Sequence, residues 1–204
     1  DLYEVVNAIR LRPTHSNLMY PGIGVGGYCL TKDALLASWA RQNLIGQNES
    51  LSQSEKAIDI NDQMPRFAFE FLNKFYKDLS GANVFLLGIS YRGDVGDTRY
   101  SPVEKFYDYL SASNAKIICH DPYISFWKEK CFEVEQNLGC LFIDVPDIII
   151  ISTGHSLYKE KNTIDMLFNL DPLIIYDTIG LLSASHIKLL NQKHTVKVLG
   201  RGDL

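Results

Sequence analysis

Apolar and polar residues alternate along the chain with a helical period at first, and with a different pattern after about residue 80. In residues 2–11 the apolar positions fall on one face of a helix, and residues 34–44 are rich in alanine and leucine without a helix breaker. Residues 64–75 space their apolar side chains by three and four, which indicates an amphipathic helix. Pro65 lies in this segment, so we expect either a kink or a first-turn position there.

From residue 80 onward, short apolar strands alternate with helices. The pattern predicts strands at 83–87, 116–119, 147–151, 173–176 and 195–199, and helices at 102–110 and 183–190. This alternation predicts a doubly wound parallel sheet, in which ligands bind beyond the carboxyl ends of the strands. We therefore predict an α/β chain with a helical domain at 1–79 and a Rossmann-like domain at 80–204.

Composition narrows the class of protein. The 204 residues are 46% hydrophobic and 22% charged, as in an ordinary globular protein, and the net charge of −4 gives no general attraction to nucleic acid or to an anionic membrane. The four cysteines form no C-x-x-C pair and no metal-like spacing with histidine, so we expect a reducing, cytoplasmic location and no metal. Because the chain starts at Asp1 within an apparent helix, we expect a fragment of a longer protein.

Residues 20–27 contain four glycines and are here called the glycine loop; Cys29 follows closely. Glycine permits positive φ and close approach of a ligand, and a thiol where a helix begins is favoured as thiolate. If the helix began at Cys29, the side chain of Asp33 would share its face, and a carboxylate beside a thiolate fits covalent catalysis at a carbonyl. A structural cysteine near a helix cap is the alternative, and the spacing leaves both open.

Two nucleotide-binding motifs are matched in the spacing of their glycines, but each lacks another feature that the motif requires. Gly22, Gly24 and Gly27 satisfy G-x-G-x-x-G, but no strand precedes them, so we reject a dinucleotide fingerprint. Gly88 and Gly93 have P-loop spacing, but an aspartate stands where the lysine should be, which excludes that motif as well.

Residues 91–100, here called the Tyr91 loop, follow the first predicted strand and contain two arginines and two aspartates. Guanidinium groups at the end of a strand suit phosphate recognition. Internal pairing of aspartate with arginine would instead hold the loop, and both roles are compatible. Ser101 and Pro102 then fit an N-cap followed by a first-turn proline.

In this order and spacing, these segments resemble the UDP-glucose/GDP-mannose dehydrogenase family. The residues that carry the resemblance are 21–29, 32–33, 61–65, 87–92, 97–99, 101–102 and 120–122. The resemblance implies an NAD-dependent oxidoreductase of polysaccharide biosynthesis, which converts the C6 alcohol of a UDP sugar to a uronic acid with two NAD through a cysteine thioester. It covers the central and C-terminal parts of the family, so an absent N-terminal domain would bind most of the NAD and the chain alone would be inactive.

The same resemblance assigns individual roles. Cys29 corresponds to the nucleophile, and Asp33 to the residue that assists hydrolysis of the thioester. Substrate contacts fall on Tyr20, Gly22, Ile23, Gly24, Gly26, Tyr91, Arg92 and Arg12, and cofactor contacts on Lys32 and Arg99. Ile179 stands where some relatives have an arginine. A homodimer through the central helices is expected, and the sugar stays open because residues 21–27 resemble N-acetylhexosamine enzymes whereas 29–33 resemble the glucose type.

Two other functions remain as hypotheses. The first is a non-catalytic nucleotide-binding or oligomerisation module. The second is a cysteine hydrolase, although none of the five histidines has a local signature that places it beside Cys29. Thiol reactivity would discriminate the non-catalytic module from an enzyme that uses Cys29, because a catalytic Cys29 should alkylate faster than Cys119, Cys131 and Cys140.

Overall fold

The computed structural model describes residues 1–139, 143 and 145–203, and Cys140 lies outside them. The first part of the chain contains α1 (Leu2–Arg10), a 3₁₀ turn at Pro13–His15, α2 (Asp33–Asn43) and α3 (Ser52–Phe75). The later elements are β1 (Asn83–Leu87), α4 (Pro102–Ala112), β2 (Lys116–His120), β3 (Phe126–Trp127), β4 (Phe132–Glu133), β5 (Ile148–Ile151), α5 (Lys161–Asn169), β6 (Ile174–Asp177), α6 (Ala184–Leu190) and β7 (Thr195–Val198). Within the described ranges, no helix combines the length and the hydropathy needed to cross a bilayer.

Five parallel strands form one sheet in the order β2-β1-β5-β6-β7, which confirms the predicted α/β fold class. The register aligns Leu87 with both His120 and Ile151, and it aligns Asp177 with both Ile151 and Val198, so the five strands end at a common edge. The chain places β2 on one side of β1 and then places β5, β6 and β7 on the other side, so the direction of strand addition reverses between β1 and β5. A crevice at such a reversal is the usual ligand site of an open parallel sheet.

Alternate residues of β1 enter two separate apolar cores. Val84 and Leu86 belong to one cluster with side chains of α3 and α4, whereas Phe85 and Leu87 belong to another with side chains of α5 and α6. All four residues of β5 are likewise fully buried. Burial on both faces explains why these strands are continuously apolar, and it fixes the sheet between two layers of helix.

Helix α3 connects the helical part of the chain to the sheet. Pro65 lies in its interior, so the first-turn alternative is wrong. Its buried side chains are those of Pro65, Ala68 and Leu72, while Phe67 stays 52% exposed, and the hydroxyl of Tyr176 donates to the carbonyl of Ala68 at 3.0 Å. The predicted domain boundary at 79/80 falls between α3 and β1 and stays a prediction, while side chains of α3 belong to the core beneath the sheet.

The β3–β4 hairpin was not predicted from the sequence, since two-residue strands are too short to show a period. Trp127 in β3 is fully buried against the rings of Tyr107 and Phe132. In the turn that follows, the carboxylate of Glu129 accepts a hydrogen bond from Thr98 Oγ1 at 2.8 Å. The hairpin therefore supports the Tyr91 loop from outside.

Candidate functional site

The glycine loop crosses the edge where the parallel strands end. Pro21 lies beside Gly200, just after β7, where a Cβ would come within 3.3 Å of its ring. Gly22 lies beside the end of β6, since a Cβ there would be 3.7 Å from Ile179 Cγ2. The far end of the loop reaches Tyr91, which follows β1. The sequence-predicted substrate loop is therefore located at the ligand-binding edge of the sheet.

Two glycines bring the glycine loop and the Tyr91 loop into direct contact. A Cβ at Gly26 would lie 2.7 Å from the Tyr100 carbonyl oxygen and 2.8 Å from Tyr91 Cβ. Gly27 has a φ of +89°, and a Cβ there would lie 2.9 Å from the ring of Tyr91. Such distances exclude any side chain at either position, so glycine is required by close approach and, at Gly27, by backbone conformation.

Asn61 of α3 pairs with the main chain of the glycine loop. Its Oδ1 accepts from the backbone N–H of Val25 at 2.7 Å, and its Nδ2 donates to the Val25 carbonyl at 2.8 Å. Next to Val25, Ile23 is only 2% exposed and belongs to the core beneath the loop. The loop is therefore fixed from both sides, and Ile23 can offer a ligand only its backbone. Asn61 is part of the motif that carries the family resemblance, but its partner 36 residues away could not be predicted from sequence.

Cys29 is exposed and lies in the turn that leads into α2. Helix α2 begins at Asp33 and not at Cys29, so the condition under which both side chains share a helical face is not met as stated. The backbone N–H of Asp33 nevertheless donates to the Cys29 carbonyl at 3.0 Å, and the hydroxyl of Thr31 donates to the Gly27 carbonyl at 2.8 Å. These bonds hold the thiol in a single turn between the glycine loop and the helix.

Lys32 lies in the turn that begins at Cys29, and its backbone N–H donates to the Cys29 carbonyl at 3.3 Å. Its Nζ lies 2.5 Å from Asp33 Oδ1 and 4.2 Å from the centroid of the Tyr28 ring. The pKa of Lys32 is raised, mainly by the hydrogen bond with Asp33, against partial desolvation, with smaller contributions from the charges of Tyr28 and Cys29. The carboxylate of Asp33 therefore contacts the Lys32 ammonium in this structure.

The Tyr91 loop contains one internal ion pair and a second arginine that has no partner among the described residues. Arg99 donates from Nη2 to Asp97 Oδ2 at 2.7 Å and from Nε to Asp97 Oδ1 at 3.0 Å, which lowers the pKa of Asp97. The backbone N–H of Tyr91 donates to the Asp97 carbonyl at 3.0 Å. Arg92 is exposed, and its guanidinium has no hydrogen-bond or ion-pair partner in the described part of the chain. Arg92 is therefore available for an anionic ligand, whereas Arg99 holds the loop.

The remaining predicted contacts lie near α1. Tyr20 donates from its hydroxyl to Asn7 Oδ1 at 2.7 Å, and the guanidinium of Arg10 lies 4.6 Å from the centroid of its ring. Tyr20 and Ile179 are among the residues that line a cavity of about 290 Å³. Arg12 is exposed just before the 3₁₀ turn, and within residues 1–139, 143 and 145–203 its side chain has no partner.

The histidines lie elsewhere. All five are among the described residues, and none forms a hydrogen bond or an ion pair with Cys29: His15 bonds Thr14, His120 bonds Tyr158, and His155 bonds Asp121. A cysteine hydrolase needs a base within hydrogen-bond reach of its thiol, so this arrangement gives that hypothesis no support. In the same part of the chain, no three His, Cys, Asp or Glu side chains gather as metal ligands would.

Family models place this geometry among known proteins. The model of the UDP-glucose/GDP-mannose dehydrogenase family, central domain, matches residues 1–63, and the model of the UDP binding domain of the same family matches residues 85–184. The chain belongs to the UDP-glucose/GDP-mannose dehydrogenase family. The two matches contain the glycine loop with Cys29 and the Tyr91 loop, respectively.

Individual members of the family agree with this assignment. The chain is 31% identical over 207 residues to a UDP-N-acetyl-D-mannosamine dehydrogenase of Methanococcus aeolicus, a match that covers 99% of this chain and 44% of that protein. It is 30% identical over 135 residues to UDP-glucose 6-dehydrogenase 1 of Arabidopsis thaliana, covering 61% of this chain and 26% of that protein. The chain thus spans less than half the length of these relatives.

Solved structures show the same fold. The structure of an NDP-N-acetyl-D-galactosaminuronic acid dehydrogenase from Methanosarcina mazei Go1 superimposes with a TM-score of 0.80 at 25% identity, covering 98% of this chain and 44% of that one. A UDP-D-ManNAc dehydrogenase from Pyrococcus horikoshii gives 0.72 at 30% identity, covering 98% and 45%. The chain therefore shares both its family and its fold with nucleotide-sugar dehydrogenases.

Proposed function

We propose that this chain is the part of a nucleotide-sugar dehydrogenase that binds a UDP sugar and presents Cys29 to its C6 carbon. One observation carries the proposal: Gly26 and Gly27, next to Cys29, pack directly against Tyr91. The thiol segment and the loop of the UDP-binding domain thereby meet at one edge of the sheet. A substrate bound to the second would reach the first.

The proposed nucleotide contacts are groups that lie at this edge of the sheet. Arg92 offers a guanidinium without an internal partner, which suits a diphosphate. Tyr91 lies beside it, and Tyr20, Gly22, Gly24, Gly26 and the backbone of Ile23 line the path toward Cys29. Arg12 is proposed as a further substrate contact, and its side chain has no partner among the described residues.

The fit of NAD to this chain rests on two cations near Tyr28. Lys32 lies over the Tyr28 ring, and the pKa of Arg99 is raised, mainly by its bond to Asp97, with a contribution from Tyr28. These cations would contact the phosphates of NAD, which when bound accepts the hydride in each oxidation. The described residues hold no dinucleotide fingerprint after a strand, so we propose that another part of the enzyme binds most of the NAD.

The chemistry assigned to this chain is covalent. The Cys29 thiolate adds to the C6 carbonyl carbon of the aldehyde, the C=O electron pair moves to the oxygen, and that oxygen takes a proton from water, giving a thiohemiacetal. After the second oxidation the same carbon is a thioester of Cys29. Water attacks the thioester carbon, the C–S bond breaks, the sulfur leaves as the thiolate, and a carboxylate is released. Asp33 accepts the proton of the attacking water, and Lys32 stabilises the thiolate before and after this cycle.

A homodimer is also part of the proposal. Leu35, Leu36 and Trp39 of α2 are exposed on the helical part of the chain, with Trp39 at 56%. Apolar side chains grouped on one exposed helix are typical of an interface. A second copy of the same helical part is the occupant we propose.

The test is a substitution in the longer enzyme that contains this chain together with an NAD-binding part. Cys29→Ser should lower formation of the uronic acid by about a hundredfold or more, because an alkoxy ester forms and hydrolyses far less readily than a thioester. Cys131→Ser, a second exposed cysteine, is the matched control and should leave acid formation unchanged. Turnover like that of the unsubstituted enzyme in the Cys29→Ser variant would contradict the proposal and favour the non-catalytic module.

A further inference from the structure

A buried carboxylate holds the start of the Tyr91 loop. Asp121 follows β2 and is fully buried, and its Oδ2 accepts from the backbone N–H of Ile89 at 3.0 Å and from the N–H and hydroxyl of Ser90 at 3.1 and 3.0 Å. Burial acts to raise the pKa of Asp121, but the hydrogen bonds from His155 and from backbone N–H groups outweigh it, and the pKa is lowered. The residues just before Tyr91 are therefore hydrogen-bonded to a buried carboxylate.

A buried histidine holds the other side of the same segment. His155 is fully buried, and its Nδ1 accepts from the backbone N–H of Asp94 at 2.9 Å. A backbone N–H can only donate, so Nδ1 carries no proton and the ring proton lies on Nε2. That nitrogen is 3.1 Å from Asp121 Oδ2, to which it donates. One neutral tautomer of His155 thus joins both anchors.

The span between the anchors contains the two residues assigned to the nucleotide. Ser90 is tied to Asp121 and Asp94 to His155, and Tyr91 and Arg92 lie between them. Asp94 has a φ of +59°, a left-handed conformation that is uncommon outside glycine. Its carboxylate also accepts from the N–H and hydroxyl of Ser156, at 2.8 and 2.6 Å. The segment is therefore held in a particular shape from both ends.

The position of this hydrogen-bond network in the sheet favours a role in ligand binding. Asp121, His155 and Ser90 follow β2, β5 and β1, so the network lies where the direction of strand addition reverses. A buried carboxylate–imidazole pair contributes little to stability in comparison with apolar packing of the same volume. Its distinctive contribution is orientation, because each hydrogen bond fixes one backbone atom of the loop.

We propose that His155 and Asp121 are positioning residues, which hold Tyr91 and Arg92 in the geometry that binds the diphosphate of a UDP sugar. The identity of the ligand rests on the proposed function; the clamp on the loop does not. His155 does not contact the ligand in this proposal and acts through the main chain of Asp94.

The experiment measures UDP binding to the chain by calorimetry. His155→Phe keeps the ring but loses both hydrogen bonds, and it should weaken UDP binding by about tenfold, whereas His155→Gln can accept and donate and should stay within about threefold of the unsubstituted chain. In an Arg92→Ala background, His155→Phe should have little further effect, because the loop then presents no guanidinium. The matched control is His194→Phe: His194 is also buried and accepts from the N–H of Leu173, but at the opposite edge of the sheet, so it should leave UDP binding unchanged.

Amide hydrogen exchange of residues 88–97 provides a readout without ligand. The Asp94 amide should exchange slowly in the unsubstituted chain and in His155→Gln, and at least about tenfold faster in His155→Phe. If the unsubstituted chain binds no UDP, the proposed function fails, and the exchange rates still decide whether the clamp exists. Unchanged exchange in His155→Phe overturns the clamp, and so does a loss of UDP affinity that His194→Phe reproduces or that persists in full with Arg92→Ala.

Discussion

The ammonium of Lys32 contacts the Asp33 carboxylate and the Tyr28 ring, in the turn that also contains the exposed Cys29. A cation beside a thiol favours the thiolate, which is the reactive form. The family resemblance assigns Lys32 to the cofactor, whereas the structure places it in the turn of Cys29, the proposed nucleophile. Both roles are compatible, because an ammonium that stabilises the thiolate can also face a phosphate.

Lys32→Met should therefore slow alkylation of Cys29 by iodoacetamide near neutral pH, by about three- to tenfold. Mass spectrometry of the modified peptides measures each cysteine in the same sample. Cys131 is exposed and should react equally in both proteins, while burial raises the pKa of the Cys119 thiol, which should stay largely unmodified. Equal rates at Cys29 with and without the lysine would show that the ammonium does not activate the thiol.

Gly26 is the residue that most directly joins the two loops, and its replacement tests their contact. In Gly26→Ala the new methyl group would meet Tyr91 Cβ and the Tyr100 carbonyl at 2.7–2.8 Å. Overpacking of this kind costs about 1–3 kcal/mol, so the midpoint of urea unfolding should fall, and UDP affinity should fall with it because Tyr91 must shift.

Gly202→Ala is the matched control for this change. A Cβ at Gly202 meets nothing within 4 Å, so both measurements should stay close to those of the unsubstituted chain. Equal stability and equal UDP binding of Gly26→Ala and Gly202→Ala would mean that the two loops do not touch in solution.

Among the elements, α3 shows why a clear apolar period does not settle which side chains are buried. Its stripe includes both Phe67 and Leu72, yet Phe67 is 52% exposed whereas Leu72 is fully buried in the core beneath the sheet. The helix is packed through Pro65, Ala68 and Leu72, so one margin of the stripe faces away from the core.

Leu72→Ala should accordingly lower the free energy of unfolding by about 2–5 kcal/mol, the usual cost of a cavity left by a buried leucine. Phe67→Ala removes a larger side chain from the same helix, but it should change stability by no more than about 1 kcal/mol, since that ring is half exposed. Urea unfolding followed by circular dichroism measures both. A greater loss for Phe67→Ala than for Leu72→Ala would mean that α3 is rotated or covered on that side.

The sequence predicts the five strands of the parallel sheet, but it does not predict every element that packs around them. The isoleucines of β5 and the apolar run of β1 mark buried strands by composition alone, and both lie where the pattern predicts them. Helix α5 and the β3–β4 hairpin were not predicted, and for the hairpin the reason is that two-residue strands are too short to show a period.

The candidate site follows the same division. Cys29, Tyr91 and Arg92 could be named from motifs, since the chemistry of a motif lies in its residue types. The pairing of Asn61 with Val25 and the link from Asp121 through His155 to Asp94 could not, because each joins segments that only the tertiary fold brings together. The resemblance therefore identified the residues proposed to contact the substrate, and the structure identified the hydrogen bonds that hold their loops in place.

For the molecule as a whole, the chain spans 44% of the length of its Methanococcus aeolicus relative. Leu36 and Trp39 on α2 are both more than half exposed. We propose that a second copy covers α2, and a charge at its centre should prevent this. Trp39→Glu should convert a dimer to a monomer at micromolar concentration, because an unpaired carboxylate would be buried in the interface.

Sedimentation equilibrium measures the mass directly, and Phe126→Glu is the matched control, since Phe126 is a half-exposed aromatic residue on β3, outside the helical part. The control should sediment as the unsubstituted dimer does. A monomeric mass for the unsubstituted chain would reject dimerisation of this chain, and a dimer that survives Trp39→Glu would move the interface away from α2. Loss of the dimer in both variants would instead indicate an interface that extends across the hairpin, which a helix-to-helix contact does not predict.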